Sequence, residues 1–171
     1  MKADGIDYRG VLYAGLMLTK QGPMVLEFNC RFGDPETQVV LPRMDFDLVE
    51  ACIATAEGRL DKMTLNWKRE AAICVVLAAG GYPGNYAKGK PINGLAAAAK
   101  LPNVTVFHAG TKHGTDGAVL TDGGRVLGVT ALGDGIAGAV KRAYEAIGHI
   151  HFDGMQYRRD IAARALRREQ A

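Results

Sequence analysis

Residues 25 to 38 read Val25-Leu26-Glu27-Phe28-Asn29-Cys30-Arg31-Phe32-Gly33-Asp34-Pro35-Glu36-Thr37-Gln38. The first half alternates, with Leu26, Phe28 and Cys30 apolar and Glu27, Asn29 and Arg31 polar. Successive side chains of a strand point to opposite faces, so the two sets separate, one toward a core and one toward solvent. Residues two apart on a strand lie about 6.5 Å apart along the backbone. A carboxylate and a carboxamide oxygen at that spacing can converge on one hard cation. A guanidinium one step further suits phosphate oxygens. The strand then breaks at Gly33 and Pro35 into a loop carrying Asp34 and Glu36. The same polar row is also what the wet face of an ordinary antiparallel strand carries. The acidic, constrained loop after it favours a site, because chemistry collects on loops held by rigid elements.

Upstream, Gly10 to Leu18 reads as a second strand, Gln21-Gly22-Pro23 as a turn, and Met24 to Cys30 as the returning strand of an antiparallel pair. Downstream, Asp45 or Asp47 can cap a helix that Gly58 ends. Leu48, Val49, Cys52, Ile53 and Ala56 form an apolar stripe on it, read as core packing. Leu60 to Arg69 connects, and the pattern then changes to short strands and glycine-rich turns. This places a boundary between a segment 1–66 and a domain 67–171.

In the second part, Ala71 to Ala79 and Val104 to Ala109 read as strands. Ala118 to Thr121 and Arg125 to Thr130 read as a hairpin around Asp122-Gly123-Gly124. Gly80-Gly81-Tyr82-Pro83-Gly84 is a sharp turn, either a phosphate cradle or a loop with no ligand. Asp134 is placed to cap a helix, roughly Ile136 to Ile147, with Gly148 closing it. Its apolar side carries Ala139, Val140, Ala143 and Tyr144. Tyr157 to Ala171 is helical in composition and rich in arginine, reading as a solvated helix or as a surface for an anionic partner.

The chain has 171 residues, 48% hydrophobic and 23% charged, an ordinary globular composition. No apolar run approaches the ~20 residues of a bilayer span, and no secretory signal opens the chain. A cytoplasmic location without a membrane partner is the expectation. The formal charge of +3 tolerates anionic small molecules and does not call for nucleic acid. Cys30, Cys52 and Cys74 are odd in number, widely spaced and set among apolar neighbours, which reads as three buried thiols. His149 and His151 have no evident third ligand.

The string Glu27 to Gln38 resembles the metal-binding signature of the phosphoribosylamine–glycine ligase family, also called glycinamide ribonucleotide synthetases, among the ATP-grasp ligases. Gly10 to Met17, Ala78 to Gly84, Phe107 to Lys112 and Gly123 to Leu127 resemble further strings of that family, in its order. The resemblance implies an α+β chain: the end of an ATP-grasp domain followed by a strand-rich carboxy-terminal domain with flanking helices. It implies a ligase that uses ATP to make glycyl phosphate, which the amine of 5-phosphoribosylamine then attacks to give glycinamide ribonucleotide. It implies Glu27 and Asn29 as ligands of Mg²⁺ or Mn²⁺, Arg31 facing the transferred phosphoryl group, and Asp34 in a substrate role. The strand Gly10 to Leu18 carries no acidic residue, which leaves the metal's other contacts to water and substrate. In the family the adenine pocket and the phosphate-holding lysine precede this stretch. The expectation is therefore a fragment, inactive without a missing N-terminal half and able to self-associate through residues 10–30. Another ATP-grasp ligase or carboxylase subunit, or a non-catalytic assembly domain, are the alternatives.

Overall fold

The computed structural model describes residues 1–169, apart from the side chains of Lys2 and Glu169. The chain divides into two compact units. One is formed by Met1–Thr37 and Met44–Lys68, the other by Gln38–Arg43 and the chain from Arg69 onward.

The first unit is built on a hairpin of β1 (Tyr13–Thr19) and β2 (Gly22–Asn29), paired antiparallel as expected. The reversal falls at Lys20 and Gln21, two residues earlier than the Gln21-Gly22-Pro23 string suggests. The Thr19 hydroxyl fixes it, donating to the Gly22 carbonyl at 2.8 Å and accepting from the Gln21 amide at 3.2 Å. Gly22 sits at φ +108, a backbone that side-chain-bearing residues rarely adopt. The register slips once, so that Gly15 faces Glu27 while Leu16 faces Val25, and Leu26 is the extra residue. This bulge takes Val25 off the face that plain alternation would give it and leaves Glu27 and Asn29 together.

The short helix α1 (Thr37–Val40) and a 3₁₀ turn at Leu41–Arg43 follow; the sequence reading gave neither. Helix α2 (Leu48–Glu57) has the expected ends. The Asp47 carboxylate accepts from the Glu50 amide at 2.9 Å, and Gly58 closes the helix at φ +71. Its expected core stripe is wrong. Ala51 and Ala54 are the buried positions, while Val49 is 68% exposed and Cys52 and Ile53 are also exposed. The buried side is the one with small side chains, and the more apolar stripe faces outward.

The apolar face of the hairpin is likewise uncovered, with Leu26 66% and Phe28 61% exposed. The expectation of three buried thiols fails for the same reason. Cys30, at the end of that face, and Cys52 are exposed, and Cys74 is half-buried.

The second unit is a sheet in the order β3-β7-β4, antiparallel throughout, from β3 (Ala71–Ala78), β4 (Val104–His108) and β7 (Arg125–Gly133). Helix α4 (Gly135–His149) packs on one face through Ala139, Ala143, Ala146 and Ile147, and α3 (Leu95–Ala98) joins it. Val75, Leu77, Val129, Ala131 and Phe152 complete a core from which water is excluded. Asp134 stands at the helix N-cap, but its side chain makes no capping hydrogen bond. Gly148 lies inside the helix, which Ile150 ends.

The expected 118–130 hairpin does not form. β6 (Val119–Thr121) pairs with β5 (Thr111–His113) in a separate two-stranded sheet, and β7 pairs with β3 and β4. Asp122-Gly123-Gly124 carries the chain from one sheet to the other, held by the Asp122 amide donating to the Gly110 carbonyl at 2.7 Å. A turn sequence specifies a bend, not a partner. The C-terminal helix α5 (Ala163–Glu169) begins six residues later than composition suggests. The Tyr144 hydroxyl donates to the Arg158 carbonyl at 2.8 Å and accepts from the Ile161 amide at 3.3 Å, fixing 158–161 outside a helix. The rest of that expected helix, residues 170 and 171, lies outside the described residues.

Candidate functional site

Glu27 and Asn29 of the opening stretch lie on one face of the β1–β2 hairpin, and the strand ends before Arg31. Tyr13 pairs with Asn29 and Gly15 with Glu27, and paired residues share a face. Gly15 makes room for Glu27: a Cβ on Gly15 would lie 3.0 Å from Glu27 Cγ. The glutamate side chain therefore lies across bare backbone. Glu27 is exposed and Asn29 half-buried.

The loop after the strand folds back on this face. Gly33 is buried, Asp34 exposed and Glu36 half-buried. Tyr13 Oη donates to Glu36 Oε1 at 3.3 Å. The charge of Glu36 beside it pushes the Tyr13 hydroxyl above its ordinary pKa, helped by desolvation, the hydrogen bond to Glu36 and the charge of Glu27. Two carboxylates thus act on one phenol. Arg31 is exposed, and its Nη1 donates to the neighbouring Phe32 carbonyl at 2.9 Å. A guanidinium has five N–H donors, so this bond leaves it able to take an anion.

Glu27 and Asn29 are on one face, as expected from the sequence. Tyr13 and Glu36 adjoin that face although no motif in the sequence marks them. Tyr13 becomes legible once the hairpin turn is set at Lys20 and Gln21 with one bulge. Glu36 gives no signal beyond its place in the acidic loop. The donors are hard oxygens, the chemistry that suits magnesium-like cations. Among the described residues no three of His, Cys, Asp and Glu stand close enough to hold a metal ion by themselves. The set therefore fits a cation that keeps water and ligand oxygens in its shell.

The glycine-rich turn at 80–84 is braced by packing and by hydrogen bonds to its carbonyls. Gln156 Nε2 donates to the carbonyls of Ala79 and Tyr82 at 3.1 and 3.0 Å, and the Tyr82 amide donates to Ala79 at 3.1 Å. The Tyr82 ring fills the space a Cβ on Gly124 would need.

A polar hairpin face ending in an acidic loop, followed by a strand-rich unit, has the parts of an ATP-grasp terminus joined to a carboxy-terminal domain. Residues 72–164 match the family described as phosphoribosylglycinamide synthetase, C domain, and residues 1–37 match its ATP-grasp (A) domain. The chain belongs to the phosphoribosylglycinamide synthetase family. It is 57% identical over 164 residues to the phosphoribosylamine–glycine ligase of Synechocystis, covering 95% of this chain and 39% of that protein. It is 54% identical over 171 residues to the ligase of the same name from Escherichia coli K12, covering 99% of this chain and 40% of that protein. The crystal structure of phosphoribosylamine–glycine ligase from Thermotoga maritima superposes with a TM-score of 0.79 at 38% identity, over 94% of this chain and 39% of that one. The chain thus spans about two fifths of the length of the curated relatives it matches. No helix among the described residues is long and apolar enough to cross a membrane.

Proposed function

We propose that this chain supplies the cation- and phosphate-facing end of an ATP-dependent ligase that joins glycine to 5-phosphoribosylamine. A glycine carboxylate oxygen attacks the γ-phosphorus of ATP, and ADP leaves. The amine of 5-phosphoribosylamine attacks the acyl carbon of glycyl phosphate and loses a proton, and phosphate leaves with glycinamide ribonucleotide as product. The observation that carries this reading is the placement of Glu27 and Asn29 side by side on one strand face, in a chain 54% identical to a ligase of that name across nearly its whole length.

In this reading Glu27 and Asn29 hold Mg²⁺ or Mn²⁺, which neutralises triphosphate charge when bound. Arg31 offers its planar fork to the transferred phosphoryl oxygens. Asp34, exposed on the loop, contacts a substrate. The uncovered apolar face of residues 10–30 supports self-association, or closure against the remainder of a longer polypeptide.

The test is a chimera in which this chain replaces the matching two fifths of the Escherichia coli K12 relative. Phosphate release should require ATP, glycine and 5-phosphoribosylamine together. Glu27→Gln should lower turnover by on the order of a hundredfold or more, with the circular dichroism spectrum unchanged. Near-normal turnover of that variant across a range of magnesium concentrations would remove Glu27 from the site. The chain alone should release no phosphate, since positioning supplies most of the catalysis in phosphoryl transfer. Binding of neither ATP nor magnesium by the folded chimera would favour an assembly domain.

A further inference from the structure

Tyr13 and Glu36 are 23 residues apart, and the Glu27-x-Asn29 pair by itself requires neither. The fold nevertheless ties them together at a built position. The Tyr13 hydroxyl reaches Glu36 Oε1 at 3.3 Å from a strand position directly opposite Asn29. The other carboxylate oxygen packs against the backbone of buried Gly33, in the space a Cβ would fill. The Thr37 amide donates to the Gly33 carbonyl at 3.0 Å, and the Thr37 hydroxyl donates to the same oxygen, closing the loop just beyond Glu36. Both Tyr13 and Glu36 are half-buried. One oxygen of Glu36 is thus held by a phenol and the other is seated on glycine. That is how a strut is held, whereas a charge meant for a ligand is left open.

We infer that the Tyr13–Glu36 pair is a latch that fixes the loop from Arg31 to Glu36 against the Glu27–Asn29 face, so that Tyr13 and Glu36 are positioning residues for Arg31 and Asp34. The inference rests on the proposed roles of Glu27 and Asn29. It adds that the loop residues act only from a place which the phenol sets. Gly33 is part of the device, because a Cβ there would take the place of the Glu36 carboxylate oxygen and push it aside.

The experiment compares Tyr13→Phe, Glu36→Ala, Glu36→Gln and the double variant Tyr13→Phe/Glu36→Ala in the same chimera. Displacing a reacting group by about 1 Å can cost as much as a hundredfold in rate. Tyr13→Phe and Glu36→Ala should each lower kcat about tenfold or more, with little change in KM for ATP. The double variant should be no worse than either single one, as expected of two ends of one contact. Glu36→Gln keeps a carbonyl oxygen for the phenol and should retain most of the activity. In the 171-residue chain itself, Tyr13→Phe keeps the ring and should speed amide exchange across residues 31–37 while leaving β3 and β7 unchanged. Normal kcat and normal loop exchange in Tyr13→Phe would overturn the latch. So would a harmless Tyr13→Phe beside a Glu36→Gln as damaging as Glu36→Ala, which would give Glu36 a role through its charge. If Glu27→Gln is inactive while Tyr13→Phe and Glu36→Ala are normal, the latch alone fails. If Glu27→Gln is active, the reading of the site fails.

Discussion

The two units use the same kind of strand for opposite ends. In β3 and β7 the apolar residues Val75, Leu77, Leu127, Val129 and Ala131 are buried by neighbouring strands and by α4. In β1 and β2 the residues Leu16, Leu18, Leu26 and Phe28 are just as apolar and lie open to water. Alternation in a sequence states which residues share a face. It does not state whether anything in the same chain covers that face. The second unit closes its own core, whereas the first carries an apolar face whose burial it does not itself supply.

The largest effect expected from this contrast is on stability. Phe152→Ala empties a fully enclosed position in the second unit and should cost about 3–5 kcal/mol. Phe28→Ala, at a side chain 61% exposed, should stay within about 0.5 kcal/mol. Urea unfolding of the two variants measures both, and equal losses would break the contrast.

A smaller effect is expected on association. Under the proposed self-association through residues 10–30, Leu26→Ser with Phe28→Ser should weaken it at least tenfold, since taking even one apolar side chain out of such a contact costs about 1.5 kcal/mol. Sedimentation over a range of concentrations reads this directly. Unchanged association would assign the contact to another surface.

The smallest effect is at the acid end of the second unit. A hydrogen bond from Lys90, 2.8 Å away, holds the Asp153 carboxyl below its ordinary pKa, with the Lys90 charge and then His151 adding to it and desolvation opposing. A depressed folded-state pKa gives stability that is present above the unfolded value of about 3.9 and is lost as pH falls through the lower, folded value. Asp153→Asn should therefore slightly reduce the difference in unfolding midpoint between neutral pH and about pH 3. Because the pair is exposed, the effect should shrink in about 1 M salt. A larger change at neutral pH in high salt would point to packing instead of charge.

What was legible in the sequence had local causes. Alternation in Leu26 to Arg31 and the tight turn before it gave the hairpin, and a continuous apolar run gave β3. Asp47 and Gly58 gave the ends of α2, and 3.6-residue spacing gave α4. The pairing of Glu27 with Asn29 on one face was legible because a period of two leaves little choice. What was not legible depends on partners distant in the chain. The buried side of α2 carries Ala51 and Ala54, against the greater hydrophobicity of Val49 and Ile53, and helical spacing within α2 alone does not indicate it. Asp122-Gly123-Gly124 bends the chain as its composition says, but the strand that receives it is set by β5 and by the Gly110 carbonyl. Tyr13 joins the site through a register that one bulged residue, Leu26, decides.

The link between Ala78 and Gln156 bears on how the second unit is made. The two residues exchange both backbone hydrogen bonds, at 2.8 and 2.9 Å, and the Gln156 side chain secures the turn that follows β3. Among the described residues β3 is an edge strand whose one partner strand, β7, begins at Arg125. During synthesis at about 5–20 residues per second, β3 leaves the ribosome several seconds before the segment that completes its pairing. The most apolar strand of the unit, Ala-Ala-Ile-Cys-Val-Val-Leu-Ala, spends that interval without its partners. A truncation between residues 80 and 125 would therefore be expected to yield a chain that chaperones hold and proteases cut, although every residue of β3 is already present.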